Sequence, residues 1–154
     1  PRRAVPLLLP LRRDMGLVDS LVPVRFLTML GHLLAMLLVL FARRDNIIVA
    51  LKFDYTQQEY DDAESSFMAC IFLTIVCLLV AALGFFMGFS MFNATLSFIH
   101  IVCHFAGGLL LSIMVIQKAH YVYAWRIFPF FSVFPMVCEL MGLFSVLVLK
   151  KRRW

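Results

Sequence analysis

Few residues in this chain carry chemistry of a kind that could define a site, and most of them lie within apolar sequence. Glu139 stands in Val137-Cys138-Glu139-Leu140, the one acid inside a long apolar segment near the C-terminus. An ionisable group at membrane depth is costly, so such a residue is a candidate for a proton or ion relay. The blander reading is a largely neutral carboxyl hydrogen-bonded across a helix bundle. His100 and His104 are four residues apart, which places them on one helical face, with Cys103 beside them. An i,i+4 histidine pair can ligate zinc or copper, but a site needs three or four ligands. Only His32, Cys103 or Glu139 are available to complete one, and no HExxH sequence accompanies the pair. Interhelical hydrogen bonding is the preferred reading for His32, His100, His104 and Glu139, as structural polar ties. No GxSxG or Gly-rich phosphate loop is found, so neither a catalytic site nor a cofactor site is expected.

Other residues speak to packing and modification. Gly84 and Gly88 form a GxxxG pattern, and Gly107 and Gly108 lie in a later apolar stretch, where small residues let helix backbones approach closely. Cys70, Cys77, Cys103 and Cys138 all fall within apolar segments and form no CxxC pair, so they read as small hydrophobes rather than as a disulfide framework. Asn93-Ala94-Thr95 is a glycosylation sequon, expected to be unused because it sits close to the bilayer on the side assigned below to the cytosol.

The elements that must position these residues follow from hydropathy. Apolar residues make up 63% of 154. Soluble domains sit near 45–50%, and a chain this short has too little interior to hide the excess. The spacing predicts spans over residues 22–42, 67–87, 96–117 and 127–149. Residues Phe67 to Gln117 contain no Asp, Glu, Lys or Arg. One helix of that length would run to roughly 76 Å, so the segment must fold back, near Gly88 to Thr95. Arg25 is expected to snorkel to the interface at the start of the first span. The Arg43–Ser66 loop is hydrophilic, with Ile47–Leu51 a short strand or interfacial segment. Thr56-Gln57-Gln58-Glu59 fits a capping box, which starts the second helix outside the bilayer near Gln57. Lys118 to Arg126 reads as a loop whose Tyr and Trp suit the membrane interface. Pro129 falls in the first turn of the fourth span, and Pro135 should kink its interior. The fold class is therefore all-α: a polytopic membrane protein, a four-transmembrane-helix bundle with both termini on the same side.

Residues 1–14, rich in proline and arginine, are expected to be a disordered leader outside a single membrane domain at 15–154. If Met15 is a start, MGLVDS matches the pattern for myristoylation of Gly16. Nine Lys/Arg lie on the terminal side, counting Arg25, against five in the two opposite loops; without the leader the count is five to five. The Lys150–Arg153 cluster then favours cytosolic termini and contact with anionic lipid. No basic stripe or nucleic-acid-binding motif is present, so no nucleic acid is expected as a partner.

From Met15 to Trp154 the chain resembles the transmembrane protein 107 family. The residues that carry the resemblance are Val24-Arg25-Phe26-Leu27-Thr28 with His32, Arg44-Asp45-Asn46-Ile47, Glu59-Tyr60-Asp61, Ser90-Met91-Phe92-Asn93 and the basic end at Lys150–Arg152. The resemblance implies a tetraspan component of the Meckel-syndrome protein module at the ciliary transition zone. It further implies roles in cilium formation, in controlling ciliary membrane composition and in Hedgehog signalling, with other transition-zone proteins as partners.

Two functional readings follow. The first is a membrane scaffold, non-enzymatic, with lipids and transition-zone proteins as its partners. The alternative is a small transporter or proton-conducting subunit using Glu139, His100 and His104. With a neutral, hydrogen-bonded Glu139, Glu139→Gln should be mild and Glu139→Gly worse.

Overall fold

The computed structural model describes residues 8–88 and 93–151. These form α1 (Leu8–Phe41), α2 (Arg43–Ile48), α3 (Gln57–Phe86), α4 (Ala94–Ile116), α5 (Val122–Phe128), a π-helical segment (Pro129–Val133) and α6 (Phe134–Lys151). Among the described residues four stretches are long and apolar enough to cross a membrane: Ser20–Phe41, Gln57–Phe86, Ala94–Ile116 and Val122–Ser145. The protein is a multi-pass membrane protein, all-α as expected. Four crossings leave its two ends on the same side.

Local sequence explains several boundaries. Thr56 caps α3 by accepting from the Glu59 N–H, and the Glu59 carboxylate accepts in return from the Thr56 N–H at 2.8 Å and its hydroxyl at 3.1 Å. The backbone N–H and then the hydroxyl of Thr56 hold the Glu59 carboxyl below the usual carboxylate range. These polar first turns stand beyond the apolar part of α3. At the other end of α3, Met87 is the C-cap and Gly88 follows with φ +76°. A side chain there would be strained, which is why glycine ends the helix. Gly88 therefore does not serve helix packing, and nothing lies within 4 Å of where its Cβ would stand. Residues 89–92 of the expected turn, including Ser90, Met91 and Phe92, lie outside the described residues. Beyond them Asn93 is the N-cap of α4, its side-chain oxygen accepting from the Leu96 N–H at 3.1 Å.

Four expectations from sequence need correction. Helix α1 begins at Leu8, so residues 8–14 of the supposed disordered leader are helical; Pro10 falls in the first turn, where its missing N–H costs little. The Ile47–Leu51 strand does not form. Asn46 and Ile47 belong to α2 and are buried against the bundle. Val122–Arg126, expected as loop, is α5. Pro129 accordingly opens a π-helical segment rather than a first α-turn, with the Phe134 N–H donating to the Pro129 carbonyl. Pro135 lacks an N–H and cannot close an α-bond one turn back, so a wider register just before it is a physically reasonable accommodation.

The bundle is organised by α1 and α4, its largest interface. Their directions are parallel, and their contacts repeat in register. Arg25 meets Ser97 and His32 meets His104, each pair 72 residues apart in sequence. The next members of this seven-residue series, Val39 and Leu111, lie in one buried cluster. A repeat of seven keeps one seam facing another along two helices. Close approach requires glycine: a Cβ at Gly107 would lie 2.7 Å from His32 Cε1 and 2.8 Å from Phe131 Cβ, and one at Gly108 3.2 Å from the His32 Cα. A second latch closes the α2–α5 end. The Asn46 amide donates to the Ala119 carbonyl at 2.8 Å and to Met114 at 3.5 Å, with Lys118 paired to Asp45 outside it at 2.9 Å.

These contacts separate the glycines. Gly107→Ala should destabilise the fold by ~1–3 kcal/mol through overpacking. Gly31→Ala, with open space around its Cβ, should be neutral or stabilising by up to ~1 kcal/mol through helix propensity. Thermal unfolding in detergent, followed by circular dichroism, distinguishes the two; equal midpoints would contradict the close approach.

Candidate functional site

The polar side chains converge in one ladder inside the bundle. Arg25 of α1 is 1% exposed and Glu139 of α6 is 3% exposed, and the two form a hydrogen-bonded ion pair. The other Arg25 terminal nitrogen donates to the Ser97 hydroxyl of α4 at 3.4 Å. Helix α3 completes the surroundings: the guanidinium lies 5.3 Å from the centre of the Phe85 ring. Gly84 leaves the space the Glu139 carboxylate fills, since a Cβ there would stand 2.7 Å from Oε2. All four spans thus meet at one buried charge pair. The expectation that Arg25 snorkels to the interface is overturned. Its side chain turns inward because a carboxylate waits there, and desolvating an unpaired Glu139 would cost more than ordering the arginine.

The ladder continues from this pair. His100 Nε2 lies 3.4 Å from Glu139 Oε1. The His100 and His104 rings are 5.7 Å apart. His104 Nδ1 meets His32 Nδ1 at 3.2 Å, so one ring donates an N–H and the other accepts. Among the described residues the Nε2 atoms of His32 and His104 have no hydrogen-bond partner. At 1.5 Å per residue, Ser97 stands about 5 Å into α4 and His104 about 15 Å, close to the middle of that helix. The ion pair therefore lies about one turn from the α3–α4 end, close to one membrane face. The histidines reach toward the centre, and beyond them Val39, Leu111, Met114 and Phe67 close the interior with apolar side chains.

Among the described residues no three or more His, Cys, Asp or Glu side chains stand together as a metal would require. His100 and His104 share a face, as their spacing dictates, yet their nearest polar partners are Glu139 and His32. The four cysteines are free. Asn93 uses its side-chain oxygen as a helix cap, a role the sequon did not announce. Reasoning from sequence missed Arg25 as the partner of Glu139, and Asn46 as a latch. The available signal was the seven-residue spacing from Arg25 to His32, repeated from Ser97 to His104.

A charged partner changes what Glu139 substitutions should do. Glu139→Gln leaves Arg25 buried without its counter-charge, so it should cost about 3–5 kcal/mol rather than be mild, and Arg25→Leu should cost a similar amount. The double substitution Arg25→Leu, Glu139→Leu should recover much of the loss, because two apolar groups can replace a buried pair at little cost. Folding equilibria in mixed micelles for the four members of this cycle measure the coupling. Additive losses would mean the pair is not coupled.

Comparison with known proteins places this architecture in a family. The model of the family described as "TMEM107: Transmembrane protein" matches residues 21–143. "Transmembrane protein 107" of Mus musculus is 36% identical over 138 residues, covering 90% of this chain and 99% of that protein. The Homo sapiens protein of that name is likewise 36% identical over 138 residues, with the same coverage. The Danio rerio protein is 32% identical over 135 residues, covering 88% of this chain and 100% of that protein. No solved structure matches the chain.

Proposed function

The chain belongs to the transmembrane protein 107 family, and from that premise we propose that it is a structural membrane component of the ciliary transition zone. In this reading it belongs to the Meckel-syndrome protein module, where it supports cilium formation, the control of ciliary membrane composition and Hedgehog signalling. The family resemblance supplies the ciliary setting. The scaffold role rests on one observation: Arg25 and Glu139 are spent on each other, joining α1 to α6 with Ser97 of α4 and Phe85 of α3 around them. A transport site needs polar groups converging on a water-filled path. Here the ladder ends at the His32–His104 pair against an apolar interior. The family carries no enzymatic name, in keeping with a role that turns over no substrate.

Partners are other transition-zone proteins. The surface offered to them is the end formed by α2, α5 and the polar turns of α3, tied together by Asn46 and by the Lys118–Asp45 and Arg43–Glu64 pairs. The segment Asp54–Glu64 gives it an acidic face. In this reading the termini are cytosolic and this end is extracytosolic.

The tagged protein, at endogenous level, should concentrate at the ciliary base, and Glu139→Gln should lower its abundance there. Reconstituted in liposomes, the parent protein should pass no protons. Robust flux abolished by Glu139→Gln would replace the scaffold with the transporter.

Orientation has its own test. Asn93 lies on the terminal side, so its sequon should stay unmodified. A glycosidase-sensitive mobility shift lost in Asn93→Gln would invert the assignment.

A further inference from the structure

Two concavities at the α5 end share Tyr123 and Arg126. One, of about 390 Å³, runs between α4 and α5 and is lined by Leu110, Ile113, Met114, Gln117 and Ile127 besides the shared pair and Ala119. The other, of about 220 Å³, is bounded by His120, Val122, Tyr123 and Arg126. Residues 110, 113, 114 and 117 form one face of α4, and 123, 126 and 127 one face of the following helix. Gln117 caps the end of α4, while Leu110 lies about 10 Å further in. The groove therefore begins polar at the level of the helix ends and becomes apolar toward the hydrocarbon.

The polar end is cationic. Arg126 is exposed, with its guanidinium 5.6 Å from the centre of the Tyr123 ring, and it forms no ion pair among the described residues. Arg43 and Lys118, by contrast, already hold Glu64 and Asp45. His120 accepts the Val122 N–H at Nδ1, which leaves its Nε2 as a donor in the neutral ring. A guanidinium, an imidazole N–H and a phenol thus border one pocket at the depth where head groups lie. Guanidinium groups bind phosphate oxygens in bidentate fashion.

We propose that these two concavities, which meet at Tyr123 and Arg126, together bind a single glycerophospholipid, with its phosphate on Arg126 and His120 and an acyl chain along Leu110, Ile113 and Ile127. The charge complementarity selects a phosphate-bearing lipid over a neutral glyceride, and the apolar limb selects a lipid over a free anion. The site is independent of the Arg25–Glu139 pair and of the ciliary reading.

Native mass spectrometry of the full chain released from detergent tests it. The probes are phosphatidylglycerol, diacylglycerol with the same acyl chains, and inorganic phosphate. The phosphatidylglycerol adduct should survive and the other two should not. Arg126→Met should reduce its retention by about tenfold or more, as the loss of one charge-assisted hydrogen bond does. Ile113→Trp, which fills the apolar limb, should reduce it as well. Arg44→Met, removing an exposed arginine at the same end that lines neither concavity, should leave it unchanged. Helicity measured alongside keeps the comparison to folded variants, and either groove variant alone suffices if the other does not fold. Retention of diacylglycerol or inorganic phosphate equal to that of phosphatidylglycerol would overturn the proposal. So would undiminished retention in the folded groove variants, or an equal loss in Arg44→Met.

Discussion

The bundle depends on burying one positive and one negative charge together. Arg25 and Glu139 are 114 residues apart in sequence and on opposite ends of the chain. Each alone would be expelled from an apolar interior, because a charge without a partner costs several kcal/mol of desolvation. Together they are tolerated only in a narrow geometry, and that geometry specifies much of the rest. Gly84 must be small so that the carboxylate fits, Phe85 must face the guanidinium, and Ser97 must lie within reach. The apolar surfaces of four helices can pack in many rotations, since lipid is as good a solvent for leucine as another leucine is. A single buried pair removes most of those alternatives.

The second constraint is the parallel seam between α1 and α4. Arg25, His32 and Val39 face Ser97, His104 and Leu111 at a constant offset, and Gly107 and Gly108 let His32 lie close to the α4 backbone. The seam combines a polar end, a histidine pair and an apolar end. A slip of one heptad would set Arg25 opposite His104 and His32 opposite Leu111. Polar matches along the seam therefore fix its register, much as a buried polar residue does in a soluble coiled coil.

Much of the fold was legible in the sequence because hydropathy and capping are local. The four spans follow from apolar runs, and the start of α3 follows from Thr56 and Glu59, three residues apart. What was not legible is what depends on distance. Arg25 stands beside a span boundary, where a long basic side chain ordinarily reaches out to water; nothing within its own segment reveals a carboxylate on the last helix. Asn46 looked like loop polarity until its amide was found on the Ala119 carbonyl. Gly88 matched a packing motif, but its backbone angle makes it a helix terminator. The i,i+4 spacing of His100 and His104 gives them one face, but the direct bond is between His32 and His104, on different helices.

The π-helical segment at Pro129–Val133 sets the rotational phase of everything after it. Each residue of an α-helix advances the side-chain direction by about 100°. A turn that accommodates one residue more than usual therefore offsets α6 relative to α5 by that angle. Trp125 and Phe128 pack toward the apolar cluster on one side of the offset, and Glu139 faces Arg25 on the other. In a uniform α-helix Phe128 and Glu139, eleven residues apart, would point within about 20° of each other, so the widened turn directs them to different neighbours. The widened turn thus works as a phase adjuster between the two ends of the last span. The length of the chain between Arg126 and Glu139, and not only its composition, decides which residue arrives opposite the buried arginine.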